Sequence, residues 1–318
     1  MDSRFEYRMC PGCGHDEFDV LFESNMKSED FNVLFDYDME GYEPPQSMEG
    51  YLVPGNEWGR HVRCRNCRLV YVNPTEKASS INQHYSEARN THAPTIRESY
   101  LKTARSQVRL IQKYSKGTRL LDIGCAQGFF LFCASQAGYI TKGVELSRDA
   151  VQYATREFGV DVEARPFEEM QFADGHFDVV TLWQTLEHVP FPLLTLKEVH
   201  RILKPGGLVA VSTPNIEALP ARILGKRWWD IKRLHINQFS TRTLAGILQN
   251  AGFKDISPVS YRGFMSLSIL VTMVLKYLNV YEQSKALPNS GSILGNITNK
   301  MMLVYPSRLN HSVVLGFK

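Results

Sequence analysis

The sequence predicts an α/β protein in which a doubly wound, mostly parallel sheet follows a small, cysteine-bearing N-terminal domain. From residue 118 onward, apolar runs of strand length alternate with segments of helical periodicity, a pattern typical of parallel strands joined by helices. Before residue 76, two Cys-x-x-Cys pairs occur among few long periodic segments. Such pairs indicate a small domain held together by a metal.

Length, composition and charge limit the classes of function. The chain has 318 residues, of which 43% are hydrophobic, enough to bury the core of one large and one smaller domain. A net charge of +3 creates no global field that would demand nucleic acid or an anionic membrane. The N-terminus MDSRFEYRMC has no apolar signal segment, so we expect a cytoplasmic protein. Six cysteines in a reducing compartment suit metal binding better than disulfides.

Three regions divide the chain. We expect a cysteine-bearing domain over residues 1–75, a helical linker over 76–117, and a large α/β domain over 118–318 with an apolar insert at 264–309. The linker contains TIRESYLKTARSQVRLIQKYSKG, whose apolar positions lie three or four residues apart. Twelve acidic residues and a single lysine stand between His15 and Glu57.

The first elements of the large domain follow from local patterns. TRLLDIG predicts a buried strand, FFLFCASQAG a helix that ends at Gly138, and YITKGVEL a second strand. SRDAVQYATREFG predicts a helix with Ser147 as N-cap and Gly159 as C-cap.

The alternation continues to the C-terminus. FDVVTLW predicts a strand, LLTLKEVHRILKPGG a helix stopped by Pro-Gly-Gly, and LVAVSTPN a strand. STRTLAGILQNAGF predicts a capped helix, KDISPVSYRG a strand and HSVVLGF a closing strand. Ligands of such sheets bind beyond the carboxyl ends of the strands, where the strand order reverses.

The turn in LLDIGCAQG is the first candidate binding feature. Gly124, Ala126 and Gly128 let the backbone approach a ligand at a helix N-terminus, although glycines often only end a strand. Glu145 ends the next strand, where a carboxylate accepts hydrogen bonds from both hydroxyls of a ribose. Asp122 would repel a pyrophosphate but suits a cationic methionine moiety. The pattern predicts a nucleoside ligand rather than a dinucleotide.

The segments LLDIGCAQG, GVELS, FDVVTLWQTLEHV and ILKPGGLVAVSTPN occur in this order. Together they resemble the class I S-adenosylmethionine-dependent methyltransferases, especially the branch with ubiquinone-type O-methyltransferases and sugar methyltransferases. The resemblance covers residues 118–252 and implies a Rossmann-like sheet of seven strands, the last one antiparallel. It implies S-adenosyl-L-methionine as cofactor. One position departs from the pattern: Ala126 stands where the family usually has glycine, and we expect only a slightly tighter loop.

The resemblance also assigns roles at the cofactor site. The methionine end would meet Asp122, Gly124 and Gly128, and Glu145 would hold the ribose. The adenine would lie near the residues after the third strand, and those that end the fourth strand would close over the cofactor. The full predicted set is Asp122, Gly124, Cys125, Ala126, Gly128, Glu145, Leu146, Phe167, Glu168, Trp183 and Gln184.

The two cysteine pairs predict a metal site. Cys10, Cys13, Cys64 and Cys67 have the spacing that presents four thiolates tetrahedrally to one Zn²⁺. Because four sulfurs leave no open position, this zinc would be structural; free thiols or a redox pair are the alternatives. CRNCRLVYVNP also resembles the zinc-binding N-terminal domain of some bacterial sugar methyltransferases, which implies a zinc-ribbon-like fold over residues 1–75.

Methyl transfer to a hydroxyl needs a group that removes the proton. By the resemblance, LEHVP follows the fourth strand on the acceptor side, which makes His188 the leading candidate base, with Glu187 to orient it. His235, in KRLHINQFS, is the second candidate. For each of these residues, ordinary packing is the alternative.

Two further segments have open interpretations. A run of cations with two tryptophans suits a clamp for a phosphate and a ring, or a solvated segment at the sheet edge; it comprises Arg222, Lys226, Arg227, Trp228, Trp229, Lys232 and Arg233. The apolar segment 264–280 suits a core or dimer helix, a lipid-facing lid or a membrane span, for which it is short.

The sequence therefore predicts a zinc-containing methyltransferase that acts on a hydroxyl or carbon of a sugar, nucleotide-sugar or glycolipid precursor. One alternative is an RNA base methyltransferase with a zinc-knuckle substrate reader, although the acidic stretch would repel phosphates. Another is a non-catalytic, zinc-dependent binding module. We expect a small-molecule acceptor, no nucleic acid and no membrane span. Peripheral membrane contact, the oligomeric state and the methylated atom stay open.

Overall fold

Short strands begin the chain. The computed structural model describes residues 5–22, 60–88, 94–232, 234–267, 270 and 302–318. Its first strands, β1 to β5, are Phe5–Glu6, Phe18–Phe22, His61–Cys64, Val70–Val72 and Thr75–Glu76. Strand β3 pairs antiparallel with both β2 and β4. Most of the acidic stretch, residues 23–57, lies outside the described residues.

Two helices occupy the segment predicted to be helical. Helix α1 spans Ala78–Glu87, and α2 spans Pro94–Tyr114. Helix α2 buries Ala104, Val108 and Ile111, at the spacing of three and four residues that places side chains on one face of a helix.

The remaining elements largely alternate as predicted, although the helix predicted over LLTLKEVHRILKPGG ends at Ile202 and the LKPGG that follows belongs to a strand. Strands β6 to β15 are Arg119–Ile123, Ile140–Glu145, Val162–Ala164, Phe177–Trp183, Leu203–Pro214, Asn237–Gln238, Lys254–Pro258, Arg262–Ser266, Met302–Pro306 and His311–Phe317. Helices α3 to α7 are Phe129–Gln136, Arg148–Phe158, Pro192–Ile202, Leu219–Leu224 and Thr241–Asn250. The predicted caps of α4 are confirmed, because Ser147 accepts a hydrogen bond from the Ala150 N–H and Gly159 is left-handed.

Seven strands form the central sheet in the order β12-β15-β10-β9-β6-β7-β8. Strand β15 is antiparallel to β10 and β12, whereas β6 to β10 pair in parallel. This confirms the predicted Rossmann-like, doubly wound sheet with an antiparallel last strand. Because β6 lies between β7 and β9, the winding reverses there, and the carboxyl ends of these strands mark the expected ligand site.

The N-terminal strands share a core with the central sheet. One hydrophobic cluster combines Leu196 of α5 and Leu244 of α7 with Tyr71 of β4. A second cluster joins α2 to α3 through residues such as Ile111 and Leu131. Strand β11, from the large domain, pairs antiparallel with β4 and so extends the N-terminal sheet.

The predicted strand KDISPVSYRG is in fact two strands of different sheets. Strand β12 lies at the edge of the central sheet, whereas β13 pairs with β14. Between them, Tyr261 is buried and its ring packs edge-on against Trp183, with centroids 5.7 Å apart. This inward contact explains why the chain leaves the sheet edge after Pro258.

The β13–β14 hairpin lies along α2. The N–H groups of Arg262 and Phe264 donate to Ser106 Oγ and Thr103 Oγ1, at 2.9 and 3.0 Å. The apolar insert predicted at 264–309 joins the two strands, and its residues 268, 269 and 271–301 lie outside the described ones. Within the described ranges, every helix is too short or too polar to cross a bilayer.

Candidate functional site

The glycine turn after β6 needs the backbone freedom of its residues. Gly124 has φ +70°, and an added Cβ would lie 2.5 Å from Thr185 Oγ1. Gly128 has φ +77°, and an added Cβ would lie 2.8 Å from Ala154 Cβ, so this glycine admits the packing of α3 on α4. Ala126 has φ +45°, a region where alanine is strained. The loop is thus left-handed at this position and not only tighter.

Glu145 is fixed by backbone amides at the end of β7. The N–H groups of Ala126 and Ser147 donate to its Oε2 and Oε1, at 2.9 and 2.8 Å. Burial raises the pKa of this carboxyl group, although the amides oppose the shift. Each oxygen keeps a lone pair, so the carboxylate can still accept hydrogen bonds from two hydroxyls.

A cavity of about 280 Å³ opens at the carboxyl ends of β6, β7 and β9, and helix α1 lies over it. Eight of the predicted site residues line it: Gly124, Ala126, Glu145, Leu146, Phe167, Glu168, Gln184 and His188. Ile81, Asn82 and Tyr85 of α1 also line it, although the sequence did not single them out. An adenosine fits this donor set, because an oriented carboxylate and the Phe167 ring border one concave, mostly apolar space.

Several predicted cofactor residues have other contacts. Asp122 is buried and accepts a hydrogen bond from Thr181 Oγ1 at 2.7 Å; burial raises the pKa of its carboxyl to about 8. Trp183 packs edge-on against Phe130, with centroids 5.4 Å apart. Neither these two residues nor Cys125 and Gly128 line the cavity, so their contact with a cofactor stays a prediction.

Two of the candidate catalytic residues, Glu187 and His188, lie in a 3₁₀ turn, Leu186–His188, after β9. Nδ1 of His188 lies 2.6 Å from the Tyr85 hydroxyl and 2.9 Å from the carbonyl oxygen of Leu234. A carbonyl oxygen only accepts, so Nδ1 carries the proton and Nε2 carries the lone pair. Burial lowers the pKa of His188 to about 4, and the neutral ring can accept a proton at Nε2.

Glu187 and His235 lie behind His188. Oε1 of Glu187 is 4.0 Å from Nε2 of His188, and neither carboxylate oxygen has a hydrogen-bond partner among the described residues. Burial raises the pKa of Glu187 to about 8 and holds that of His235 well below its usual range. The His235 ring stands edge-on to His188, with centroids 4.6 Å apart. Donor atoms of these three residues lie within 4.8 Å of one another, a spacing at which a metal cation could be held between them.

The four predicted metal ligands converge. The Sγ atoms of Cys10 and Cys67 are 3.4 Å apart, and those of Cys13 and Cys64 are 3.6 Å apart. Four sulfurs about 2.3 Å from a tetrahedral zinc would be about 3.8 Å apart. Both pairs form the same turn, because Gly14 N–H donates to the Cys10 carbonyl and Arg68 N–H to that of Cys64. All four are free thiols, and the arrangement fits a closed, structural metal site.

The cationic segment lacks one of the two rings that the predicted clamp would use. Trp228 is 1% exposed and its indole N–H donates to Asn310 Oδ1 at 3.2 Å. Its ring packs in a cluster with Ala221 and Ile231, so it cannot stack on a ligand. Arg222, Lys226 and Arg227 are exposed, and Arg233 lies outside the described residues.

Comparison with known proteins points to one family. The sequence model of the family described as "Methyltransferase domain" matches residues 95–257, just over half of the chain. The ubiquinone biosynthesis O-methyltransferase of Pseudomonas aeruginosa (strain LESB58) is 38% identical over 105 residues, covering 31% of this chain and 45% of that protein. The ubiquinone biosynthesis O-methyltransferase of Ralstonia nicotianae is 35% identical over 120 residues, covering 35% of this chain and 50% of that protein.

The chain thus spans about half the length of the curated relatives it matches. Among solved structures, a SAM-dependent methyltransferase from Archaeoglobus fulgidus aligns with a TM-score of 0.47 at 20% identity. That alignment covers 69% of this chain and 94% of the other.

Proposed function

The chain belongs to the methyltransferase-domain family, and from that premise we propose that it transfers the methyl group of S-adenosylmethionine to a hydroxyl of a small, uncharged acceptor. The observation that carries this proposal is the shared cavity, in which the amide-fixed carboxylate of Glu145 and the imidazole of His188 both take part. The Glu145 end of the cavity suits a ribose, and the His188 end provides a proton acceptor for the methyl-accepting hydroxyl.

The cofactor half rests on residues of the β6 and β7 ends. S-adenosylmethionine supplies a methyl group on a cationic sulfur when it is bound. Glu145 would hold the ribose hydroxyls, Phe167 would border the adenine, and the backbone at Gly124 would let the ligand approach. The carboxylate needs no reorganisation for this task because two amides already orient it.

His188 would act as the general base. As the acceptor oxygen took the methyl group and the carbon–sulfur bond of the donor broke, the hydroxyl proton would move to His188 Nε2. The hydrogen bond from Nδ1–H to Leu234 keeps the lone pair on Nε2. Glu187, 4.0 Å from Nε2, would stabilise the imidazolium only in its ionised form, and His235 would support the ring through its edge-on contact.

The acceptor class is the finer part of the proposal. The relatives are named for ubiquinone biosynthesis, which favours a phenolic hydroxyl. No Lys or Arg side chain lines the cavity except Arg165 among the described residues, which favours an uncharged acceptor. A hydroxyl or carbon of a sugar is the second candidate, because the four-cysteine domain resembles that of sugar methyltransferases; the buried ring of Trp228 weakens the nucleotide-sugar version.

We further propose a structural Zn²⁺ at Cys10, Cys13, Cys64 and Cys67. The support is the convergence of four thiols in two matching turns. An RNA acceptor and a non-catalytic binding module are alternatives that the same experiment addresses.

The test is a transfer assay with methyl-labelled S-adenosylmethionine and four acceptor sets: catechols and phenols, sugars and nucleotide-sugars, RNA, and none. Label in phenols that is lost in His188→Gln supports the proposal; label in sugars alone selects the second candidate. Label in RNA overturns the proposed acceptor. Binding of the cofactor by calorimetry without any transfer to these acceptors would favour the binding module. The control variant is His176→Gln, at a partly exposed histidine outside the cavity.

A further inference from the structure

Arg8 of the N-terminal domain reaches into the acid–base site. It stands two residues before Cys10, and its guanidinium donates three hydrogen bonds to the large domain. Nη1 donates to the carbonyl oxygen of Pro190 at 2.8 Å. Nη2 donates to the carbonyl oxygen of Ile236 at 3.1 Å and to Asn237 Oδ1 at 3.2 Å. These acceptors are 182 to 229 residues away in the chain.

The acceptors belong to the two segments that carry the candidate catalytic side chains. Pro190 follows His188 by two residues, and Ile236 follows His235 directly. The segments also touch one another, because Asn237 Nδ2 donates to the carbonyl oxygen of Val189 at 2.8 Å. Since one planar guanidinium spans both segments, their separation depends on its fork geometry.

The N-terminal domain holds Arg8 in place from its own side. The backbone N–H of Arg8 donates to Asn73 Oδ1 at 3.1 Å, and Asn73 Nδ2 donates back to the Arg8 carbonyl at 3.2 Å. The guanidinium lies over the ring of Tyr71, 5.5 Å from its centroid. Strand β4 also pairs with Asn237 and Gln238. The hydrogen bonds of Arg8 therefore add to a direct strand pairing between the two domains.

Arg8 is costly to bury. Its Nε atom is buried without a hydrogen-bond partner, and the guanidinium forms no ion pair with a carboxylate among the described residues. A buried cation that is paired only with carbonyl and amide oxygens contributes little net stability. The arrangement of its hydrogen bonds, rather than its charge, therefore accounts for an arginine at this position.

We propose that Arg8 is a positioning residue that sets the distance between the His188 and His235 segments, and thereby makes the four-cysteine domain part of the active site. This inference rests on the proposed function for its effect on turnover, but its structural effect can be measured without any acceptor.

The experiment compares Arg8→Gln and Arg8→Lys with Arg65→Gln in the full-length, metal-loaded chain. Arg65 is an exposed arginine of the same domain whose ion-pair partners among the described residues are Asp19 and Glu17. In Arg8→Gln we expect kcat to fall about 10- to 100-fold, since small misplacements of catalytic groups have effects of this size. The affinity for S-adenosylmethionine and the acceptor KM should change less than about threefold. Arg8→Lys should recover part of kcat, because it restores one of the donors.

Amide hydrogen exchange supplies the readout that does not depend on activity. We expect exchange to speed up at residues 186–190 and 234–238 in Arg8→Gln, with helix α4 unchanged. An unchanged exchange pattern with normal kcat would overturn the proposal. So would a loss of bound metal or of cofactor affinity equal to the loss of kcat, which would make Arg8 a general folding residue. If wild type transfers no methyl group but the exchange effect is present, the positioning stands and the proposed function fails. If Arg8→Gln does not fold, Arg8→Lys carries both readouts.

Discussion

The hydroxyl oxygen of Tyr85 lies 2.6 Å from Nδ1 of His188. Tyr85 sits near the end of α1 and His188 in the turn after β9, so the contact joins the helix over the cavity to the candidate base. The rings meet edge-on with centroids 5.6 Å apart. The carbonyl oxygen of Leu234 favours the tautomer with the proton on Nδ1, and Tyr85 helps to hold the orientation of the imidazole.

Replacing Tyr85 should therefore impair the base and spare the cofactor. In Tyr85→Phe we expect kcat to fall about 10-fold, because the variant loses one hydrogen bond that orients His188. The affinity for S-adenosylmethionine should not change. Steady-state kinetics and calorimetry measure the two quantities. The exposed Tyr114→Phe, on α2, is the matched control. A kcat equal to that of wild type would show that Leu234 alone suffices to orient His188.

Glu187 should make stability depend on pH. Burial raises the pKa of its carboxyl from 4.5 to about 8, so between these values the folded chain holds a proton that the unfolded chain has released. The contribution of the Glu187 carboxyl group to the free energy of unfolding therefore falls as pH rises from about 4.5 to 8, and it is constant outside that window. Glu187→Gln removes this dependence. The free energy of unfolding of the variant minus that of wild type should therefore rise by a few kcal/mol as pH increases across the window.

Urea unfolding of both chains at pH 5 and pH 8 measures this difference. His188 titrates in both chains, so most of its contribution cancels. The exposed Glu169→Gln provides the control, which should show no such trend. A difference between Glu187→Gln and wild type that stays constant from pH 5 to pH 8 would mean that Glu187 is ionised in the folded chain.

Local signals predicted most of the fold and several residues that line the cavity. The caps Ser147 and Gly159 are fixed by hydrogen bonds within a few residues. Glu145 ends a strand that is predicted by the apolar residues of the strand itself. Gly124 and Glu145 follow from strand order, because parallel strands bring their carboxyl ends to one edge.

The acid–base half depends on contacts that no local pattern encodes. Tyr85 meets His188 across 103 residues, and Arg8 meets Pro190 across 182. Trp228 shows the opposite case: its cationic neighbours suggested a surface clamp, but its ring lies in the core, whereas Arg222, Lys226 and Arg227 are exposed. Local polarity does not tell which side of a short helix faces the protein.

Glu145 should dominate the affinity for the cofactor. Glu145→Gln keeps the shape of the side chain but loses the charge that the two amides and the ribose hydroxyls share, so we expect binding to weaken about 10- to 100-fold, or about 1–3 kcal/mol. Titration calorimetry with S-adenosylmethionine measures it. Glu163 lies on the neighbouring strand and pairs with Lys142, so Glu163→Gln is the control. Equal affinities for the two variants would refute the ribose assignment.

Gly124→Ala tests the close approach of the turn to Thr185. The added Cβ would lie 2.5 Å from Thr185 Oγ1 at a φ of +70°, so we expect a loss of about 1–3 kcal/mol of stability and weaker cofactor binding. Gly138→Ala is the control, because φ there is +94° and nothing lies within 4 Å of the added Cβ. The difference in free energy of unfolding between the two variants measures the cost of the steric clash with Thr185. If the two variants are equally stable, the turn shifts to accept the added Cβ without a loss of stability.

Removal of one thiolate tests the metal site. In Cys64→Ser we expect the bound zinc to fall from about one equivalent to well below half, because a serine hydroxyl is a poor ligand for a site built from thiolates. Cys64 is buried within the core that the N-terminal strands share with the central sheet, so the melting temperature should fall as well. Atomic emission and thermal melts measure the two effects, and Cys133→Ser, buried away from the cluster, is the control. A Cys64→Ser chain that keeps a full equivalent of zinc would refute the four-thiolate site. A wild-type chain whose melting temperature is unmoved by a strong chelator that strips the metal would show instead that the shared core alone holds the N-terminal strands in place.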